Sequence, residues 1–301
     1  GVCLAPTAPV TSGSGPAILV IGDAILDVHA RPAMAIEVGA DVPAAIQLGP
    51  GGQGANLAVR LARQGLDVTL ACALADDPAG AILRAALDAD EVTLSAVAAD
   101  ATGVVVVLGD DRGERSMLSH RAPLPPSVAD LEVAPDAWVV LSGYALLQAD
   151  GATLAARLAS GSGRRVLAGC AVPEADLDRW RAGVAALRPD LVIANRAEAD
   201  RALGTDPHGV AITDAAGAEV RIGPLRAHAA VPPGPPAVDT TGAGDAFAAG
   251  LVAALVAHPW PPGETHLQVA VERGVALAAA VARQPGAQAR VAGERPATIR
   301  G

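Results

Sequence analysis

WVVLSGYALLQADGATLAARLASGSGRRVLAGCAVPEADLDRWRAGVAALRPDLVIAN, residues 138–195, decides the fold class. Three short apolar runs, WVVLSG, RVLAG and DLVIAN, alternate with two stretches suited to helices that start near residues 151 and 176. Short apolar runs bounded by turn residues read as buried strands, and their alternation with helices implies a mainly parallel sheet covered on both faces. Downstream the pattern continues through a helix at Ala197 to Leu203, strands VAIT and AEVRI, a Pro-rich connector VPPGPPAV, and two helices at 243–257 and 265–283. Upstream, AILVIG at 17–22 reads as the first strand, followed by a helix from Gly54 to Gln64, a strand DVTLACALA and a helix from Ala79 to Ala89. Asp76-Asp77-Pro78 supplies that last helix with N-terminal signals. Two segments break the alternation. Residues 28–48 and 104–118 show no helical period, the second carries an Asp-Asp-Arg-Gly hairpin signal, and the two are expected to pair into a small sheet outside the core.

The chain has 301 residues, 51% hydrophobic and 18% charged, with 33 Gly and 24 Pro, which suits a globular α/β protein with one large domain. That domain is expected over residues 17–301, with residues 1–16 as a flexible tail rich in Pro, Gly and Ser. The net charge is −10 and lysine is absent, so every basic residue is Arg. A broad nucleic-acid surface is therefore disfavoured, and Walker-type phosphate loops and Schiff-base chemistry, both dependent on a Lys amine, are excluded. Cys3, Cys72 and Cys170 lie far apart without metal-ligand spacing, which points to a reducing cytoplasm rather than a disulfide framework or a zinc site. Apolar stretches such as Ala246 to Ala257 fall short of the roughly 18 residues that span a bilayer, so no membrane segment is expected.

Two glycine-rich stretches carry the chemistry. In DTTGAGDAFAAGLVAAL, from Asp239 to Leu255, Gly242, Ala243 and Gly244 form a turn almost without side chains directly before a helix. Their amides can converge on one anion, with the helix dipole adding positive potential. Asp245 in the first turn is placed to take a proton from an attacking hydroxyl, or merely to cap the helix while the glycines permit close packing. In GPGGQGANLAVRLARQG, from Gly49 to Gly65, Gly49, Gly51 and Gly54 formally match a dinucleotide fingerprint, with Asp76 as its ribose acid. The fingerprint should follow the first strand directly, and here about 25 residues intervene. The alternative is that bare backbone at Gly51 and Gly52 admits a polar small molecule, with Asn56 offering a donor and an acceptor or serving as a plain first-turn residue.

Taken together these residues resemble the ribokinase-like, or PfkB, carbohydrate kinases. DTTGAGDAF resembles the C-terminal signature of that family and GGQGANLAVRLARQG followed by ADD the N-terminal one, at matching spacing. GDAILD at 22–27, the NxxE element Asn195 to Glu198, and RQPGAQA near the end extend the similarity over residues 17–291. The resemblance implies a three-layer sandwich with a small β-sheet lid, made of the segments at 28–48 and 104–118. It also implies transfer of the γ-phosphoryl group of ATP to a hydroxyl of a small sugar or sugar acid. Asp245 would be the catalytic base, and Gly242, Ala243 and Gly244 the anion hole. Asp27, Gly51, Gly52 and Asn56 match positions that hold the sugar. Asn195 and Glu198 match the element that organises Mg2+ and phosphates, Thr213 and Gly217 the nucleotide site, and Asp239 and Thr241 a K+ site. A homodimer through the lid is compatible with the resemblance. The sequence departs from the family pattern at Ala75, where Gly is usual, and at Gln53, where ribokinases proper have Lys. Ile25 and Tyr144 replace polar residues used on ribose, Asp214 adds negative charge near the expected phosphates, and Val275 replaces an Asn. A nucleoside kinase of the same fold and a non-catalytic metabolite binder are the alternatives; with 2% aromatic residues the chain has few rings to stack on a base, which favours a sugar.

Overall fold

A computed structural model describes residues 17–109, 115–131, 133–202 and 207–296. The expected tail at 1–16, the hairpin signal at 110–113 and the end of the helix expected to reach Leu203 lie outside the described residues. The chain opens with β1 (Ile18–Ile21), β2 (Ile25–Pro32) and β3 (Ala44–Gly51), then α1 (Gln53–Arg63), β4 (Val68–Leu74), α2 (Pro78–Ala89) and β5 (Thr93–Ala98). After β6 (Gly103–Gly109) and β7 (Arg115–His120) come β8 (Trp138–Ser142), α3 (Gly143–Leu146), α4 (Gly151–Ser160), β9 (Arg164–Ala168) and α5 (Leu177–Leu187). The remainder is β10 (Leu191–Asn195), α6 (Arg196–Ala202), β11 (Gly209–Asp214), β12 (Gly217–Ile222), β13 (Leu225–Ala230), α7 (Ala243–Val256) and α8 (Glu264–Ala282).

A nine-stranded sheet in the order β13-β12-β11-β10-β9-β8-β1-β4-β5 forms the centre. It is parallel from β5 to β11 and antiparallel across β11-β12-β13. The alternation of β1 sorts the core: Ile18 and Val20 pack with α1, α2, α7 and α8 on one face, and Leu19 and Ile21 with α3, α4 and α5 on the other. Strand order reverses at β1, so the crevice between the carboxyl ends of β1 and β8 is a topological switch point, where ligands bind in open α/β sheets. Gln53 fills the base of that crevice. Its Oε1 accepts hydrogen bonds from Ser142 Oγ at 2.7 Å and Gly143 N at 3.0 Å, and its Nε2 donates to the Gly169 carbonyl at 2.7 Å.

A second sheet, ordered β3-β2-β6-β7, has β2 parallel to β6 and the outer pairs antiparallel. It differs in detail from the segments read off the sequence. β2 starts at Ile25 within GDAILD, and residues 33–43 carry no strand. Asp77 joins this sheet to the core, since its Oδ1 accepts from Gly80 N at the start of α2 while its Oδ2 accepts from Thr102 N just before β6. Edge strands β5 (TLSAVA) and β13 (LRAHAA) were not expected from the sequence, because their small residues give little β signal. β13 forms through a tight return from β12 at Gly223, which has φ +55°.

α7 is apolar around most of its circumference and is buried along its length after the first turn. Its close contact with α8 depends on two glycines. A Cβ on Gly250 would stand 3.0 Å from Gly274 Cα, and one on Gly274 would stand 2.9 Å from the Phe247 ring. Gly274→Ala should therefore lower stability by about 1 to 3 kcal/mol through overpacking, despite the better helix propensity of Ala, as read by urea unfolding.

Candidate functional site

Gly242 ends the loop before α7 with φ +77° and occupies the N-cap position, so the helix has no side-chain cap. A Cβ at Gly242 would collide with Ala287, at 2.8 Å from its Cβ, which restricts the position to glycine twice over. Ala243 N donates to the Thr240 carbonyl at 3.2 Å; among the described residues nothing accepts from the amides of Gly242 and Gly244. These two N–H groups thus remain at the positive end of a long helix. Gly244 is exposed, and a Cβ there would meet nothing within 4 Å.

Asp245 does not cap the helix. Its Oδ2 accepts a hydrogen bond from Asn56 Nδ2 on α1 at 2.9 Å. Burial pushes its carboxyl up to about 7, with the negative charge of Asp23 acting the same way; hydrogen bonds from Asn56 and Gln53 and the charge of Arg60 oppose the rise. A carboxyl poised near neutrality in the first turn of a helix, beside unpaired amides, is suited to proton transfer. Asn56 is itself buried, with its Oδ1 accepting from Gln288 Nε2 at 3.0 Å.

Toward the small sheet, Gly51 is bare because the Asp27 carboxylate occupies the space a Cβ would fill, and Gly52 has φ +91° with the Asp23 carbonyl where its Cβ would lie. Burial raises the Asp27 carboxyl above its usual range, with Asp23 adding to the rise and His29 and Arg121 opposing it. Three residues to which the sequence reading gave no role complete the site. Asp23 accepts from Gly54 N at 3.2 Å and from Arg121 Nη1, with which it forms an ion pair. Arg121 also lies over the Tyr144 ring, 4.0 Å from its centroid. Gln288, the third, donates to Asn56; 98 residues separate Arg121 from Asp23 and 232 separate Gln288 from Asn56, so no local pattern announces either link.

Two cavities flank the start of α7. One of about 320 Å³ includes Asn56, Asn195, Glu198, Thr241 and Asp245 in its wall; the other, of about 290 Å³, includes Gly217, Phe247 and Val275. Thr213 and Gly244 line both. Asn195 and Glu198 form a reciprocal pair at the start of α6: Glu198 N donates to Asn195 Oδ1 at 2.9 Å and Asn195 N to Glu198 Oε2 at 3.0 Å. Burial raises the Glu198 carboxyl, against these bonds. Asp239 Oδ1 accepts from Thr241 N at 2.9 Å and Oδ2 from Gly286 N at 3.0 Å, which ties the loop before α7 to the segment after α8.

The departures noted in the sequence have structural accounts. Asp214 Oδ1 accepts from the amides of Ala216 and Gly217 in the β11–β12 turn, and its Oδ2 lies 3.9 Å from Arg196 Nη2, so its charge is largely answered locally. Ala75 is buried, with its amide bound to Thr102 Oγ1 at 3.1 Å. Val275 is an apolar wall of the second cavity, and Tyr144 is the platform under Arg121.

Beneath α7 the segment after α8 is held by buried charge. Arg60 on α1 is fully buried; its Nη1 pairs with Glu294 Oε1 at 2.8 Å and its Nη2 donates to the Ala287 carbonyl at 2.7 Å. Arg63 adds a two-pronged pair with Asp90 and donates through Nη1 to the Gln288 carbonyl at 2.8 Å.

Comparison with known proteins accords with this arrangement. No curated protein matches the chain. Among solved structures, aminoimidazole riboside kinase from Salmonella enterica, complexed with aminoimidazole riboside and an ATP analogue, superposes with a TM-score of 0.72 at 23% identity, over 90% of this chain and 95% of that one. Adenosine kinase from Sinorhizobium meliloti gives 0.70 at 22% identity over 93% and 97%, and ribokinase from Thermotoga maritima 0.71 at 18% over 91% and 95%. Likeness at these identities establishes the ribokinase-like fold. Residues 16–292 match the description of a pfkB family carbohydrate kinase, and with a match of that extent the chain belongs to the pfkB family.

Proposed function

We propose that the protein transfers the γ-phosphoryl group of ATP to a hydroxyl of a small sugar or sugar acid, with Asp245 as the general base. The observation that carries this reading is the position of Asp245 in the first turn of α7, next to the unpaired amides of Gly242 and Gly244, with its carboxyl pushed up to about 7. The second cavity, walled by Gly217, Phe247 and Val275, is proposed to hold the nucleotide, and Thr213 and Gly244, which line both cavities, would adjoin its phosphates. Phosphoryl transfer asks the protein chiefly for alignment and charge neutralisation. The two amides stabilise charge on the moving phosphoryl group, and Asp245 takes the proton of the attacking hydroxyl.

Among the described residues no group of three or more His, Cys, Asp or Glu could hold a metal ion by protein ligands alone. Magnesium retains several waters and binds through one or two carboxylates and substrate phosphates, so Glu198, half-buried on the wall of a 320 Å³ cavity, fits such an ion. When bound, the ion neutralises phosphate charge. Asp239 and Thr241 are proposed to hold potassium, which would stiffen the loop that presents Gly242 and Gly244.

On the acceptor side, Asp27 and the small sheet are proposed to form the sugar-binding lid, made of the segments about 28–48 and 104–118. Tyr144 is the aromatic ring in the wall of the first cavity, and Arg121 covers it. That leaves hydroxyl-binding groups rather than a stacking platform, which supports a sugar over a nucleoside. The nucleoside reading is kept because two of the similar structures are kinases of adenosine and aminoimidazole riboside. The outer face of the sheet supports a homodimer: Leu48, Val28, Val106 and Leu118 stand in register across the four strands, with Leu48 58% and Leu118 64% exposed.

Three outcomes are expected. A panel of ketoses, aldoses, sugar acids and nucleosides, run with and without potassium, should show ATP-dependent turnover greatest on a sugar or sugar acid and faster with potassium; a nucleoside preferred by about a hundredfold would reverse the acceptor assignment. Sedimentation should give a dimer that Leu48→Glu dissociates, and an unchanged dimer would place the interface elsewhere.

Asp245→Asn should lower kcat by about 10² to 10⁴-fold with little change in sugar or ATP affinity. Because the base must be ionised, wild-type kcat/KM should rise with pH through about 7. Stability should move the other way. A carboxyl whose pKa is raised on folding binds its proton more tightly in the folded state, so stability falls as pH rises from the ordinary carboxylate value of 3.8 to about 7 and is level above that. Asp245→Asn should thus melt higher than wild type near pH 8, and the difference should shrink steadily as the pH falls below about 7. An Asn variant with near wild-type turnover would remove the base assignment.

A further inference from the structure

Asn56 matches the positions that hold a sugar in the resemblance, yet both ends of its amide are occupied by protein. The Nδ2 donates to Asp245 Oδ2 at 2.9 Å and the Oδ1 accepts from Gln288 Nε2 at 3.0 Å. An ionised carboxylate offers only acceptors, so the end of the amide that meets Asp245 has to be its NH2 group, which leaves the oxygen for a donor on the other side. Gln288 is that donor. Its backbone has little freedom, because its own carbonyl accepts from Arg63 Nη1 at 2.8 Å and the preceding carbonyl, of Ala287, accepts from Arg60 Nη2 at 2.7 Å. The chain of contacts therefore runs from buried arginines on α1, through the segment after α8, back to α1 and on to α7.

We propose that Gln288 is a positioning residue for the general base: its side-chain NH2 fixes the Asn56 amide in the orientation that presents NH2 to Asp245. Without that donor the Asn56 oxygen has nothing to accept, and rotation of the amide by half a turn places the oxygen against the carboxylate, where like partial charges repel. The ionised form of Asp245 loses a hydrogen bond and gains a repulsion, so proton removal becomes harder. The other groups facing Asp245 are Asp23, from the loop after β1, and Gln53 and Arg60, from α1. None of them contacts the Asn56 oxygen, so none substitutes for Gln288.

This inference rests on Asp245 acting as the base, and its test reads the carboxyl directly as well as through turnover. Protein labelled with 13C in the aspartate carboxyls is titrated by NMR, with the Asp245 resonance assigned by its loss in Asp245→Asn. Gln288→Met keeps the length of the side chain without the donor, and Gln288→Glu keeps the shape but offers only acceptors. Both variants should titrate about half a unit or more above wild type, and kcat/KM near pH 6.5 should fall about threefold or more, the loss vanishing above about pH 8.5. The KM values for sugar and ATP should stay within about twofold. A Gln288 that only fills space would tolerate Met and leave the midpoint in place; an unmoved or lowered midpoint in either folded variant overturns the proposal. A midpoint that moves in a protein that phosphorylates no acceptor would instead overturn the kinase reading and leave the role of Gln288 standing.

Discussion

A guanidinium group removed from water needs an opposite charge and acceptors for its donors, and Arg60 is such a group, with no exposed surface. Glu294 and the Ala287 carbonyl answer its two terminal nitrogens, while Nε is left without a partner among the described residues, and these two contacts fix residues 286–294 against α1. Much of the site follows from that constraint. Ala287 is the surface on which Gly242 must be bare, Gly286 donates to Asp239, and Gln288 donates to Asn56. Removing one partner of a buried pair typically costs about 3 to 5 kcal/mol, because the other charge stays buried and unanswered. In this protein the cost would fall on the segment that shapes the start of α7 as well as on global stability.

The parallel sheet was legible because β1 and β8 are buried throughout, and Val166–Ala168 of β9 and Leu191–Ala194 of β10 are likewise buried and apolar. The Asp239–Asp245 turn was legible for a different reason. Only glycine fits the backbone of Gly242, with φ +77° and Ala287 where a Cβ would lie, so that one position at the head of the helix is forced, whereas Gly244 has open space around it. Edge strands β5 and β13 were not legible, since their pairing follows from a neighbouring strand rather than from their own residues. The same limit hid the polar partners of the site. Asp23, Arg121 and Gln288 work through hydrogen bonds to residues distant in sequence, and one polar residue in a loop carries no periodic signal.

The negative charge introduced at Asp214 illustrates how local structure alters a reading from sequence. Counted as a free carboxylate it opposes phosphates in the adjoining cavity. Seen in place, it closes the β11–β12 turn through two amides and faces Arg196, the residue that follows Asn195. The turn that Asp214 closes also sets Gly217 under Ala229 in the neighbouring strand, where there is no room for a side chain. Shape at that corner of the cavity is thus set by a residue whose charge alone would have suggested the opposite role.

The small sheet presents two surfaces with different duties on the same strands. Asp27 and Val28 are consecutive, and the pleat sends one toward Gly51 and the other into the row that runs from Leu48 to Leu118. Inserting or deleting one residue early in β2 would exchange the two surfaces, turning a carboxylate outward and a valine inward. Changes in length within these strands can therefore come only in pairs, whereas residues 33–43, which carry no strand, are free of that parity and can vary in length by any number.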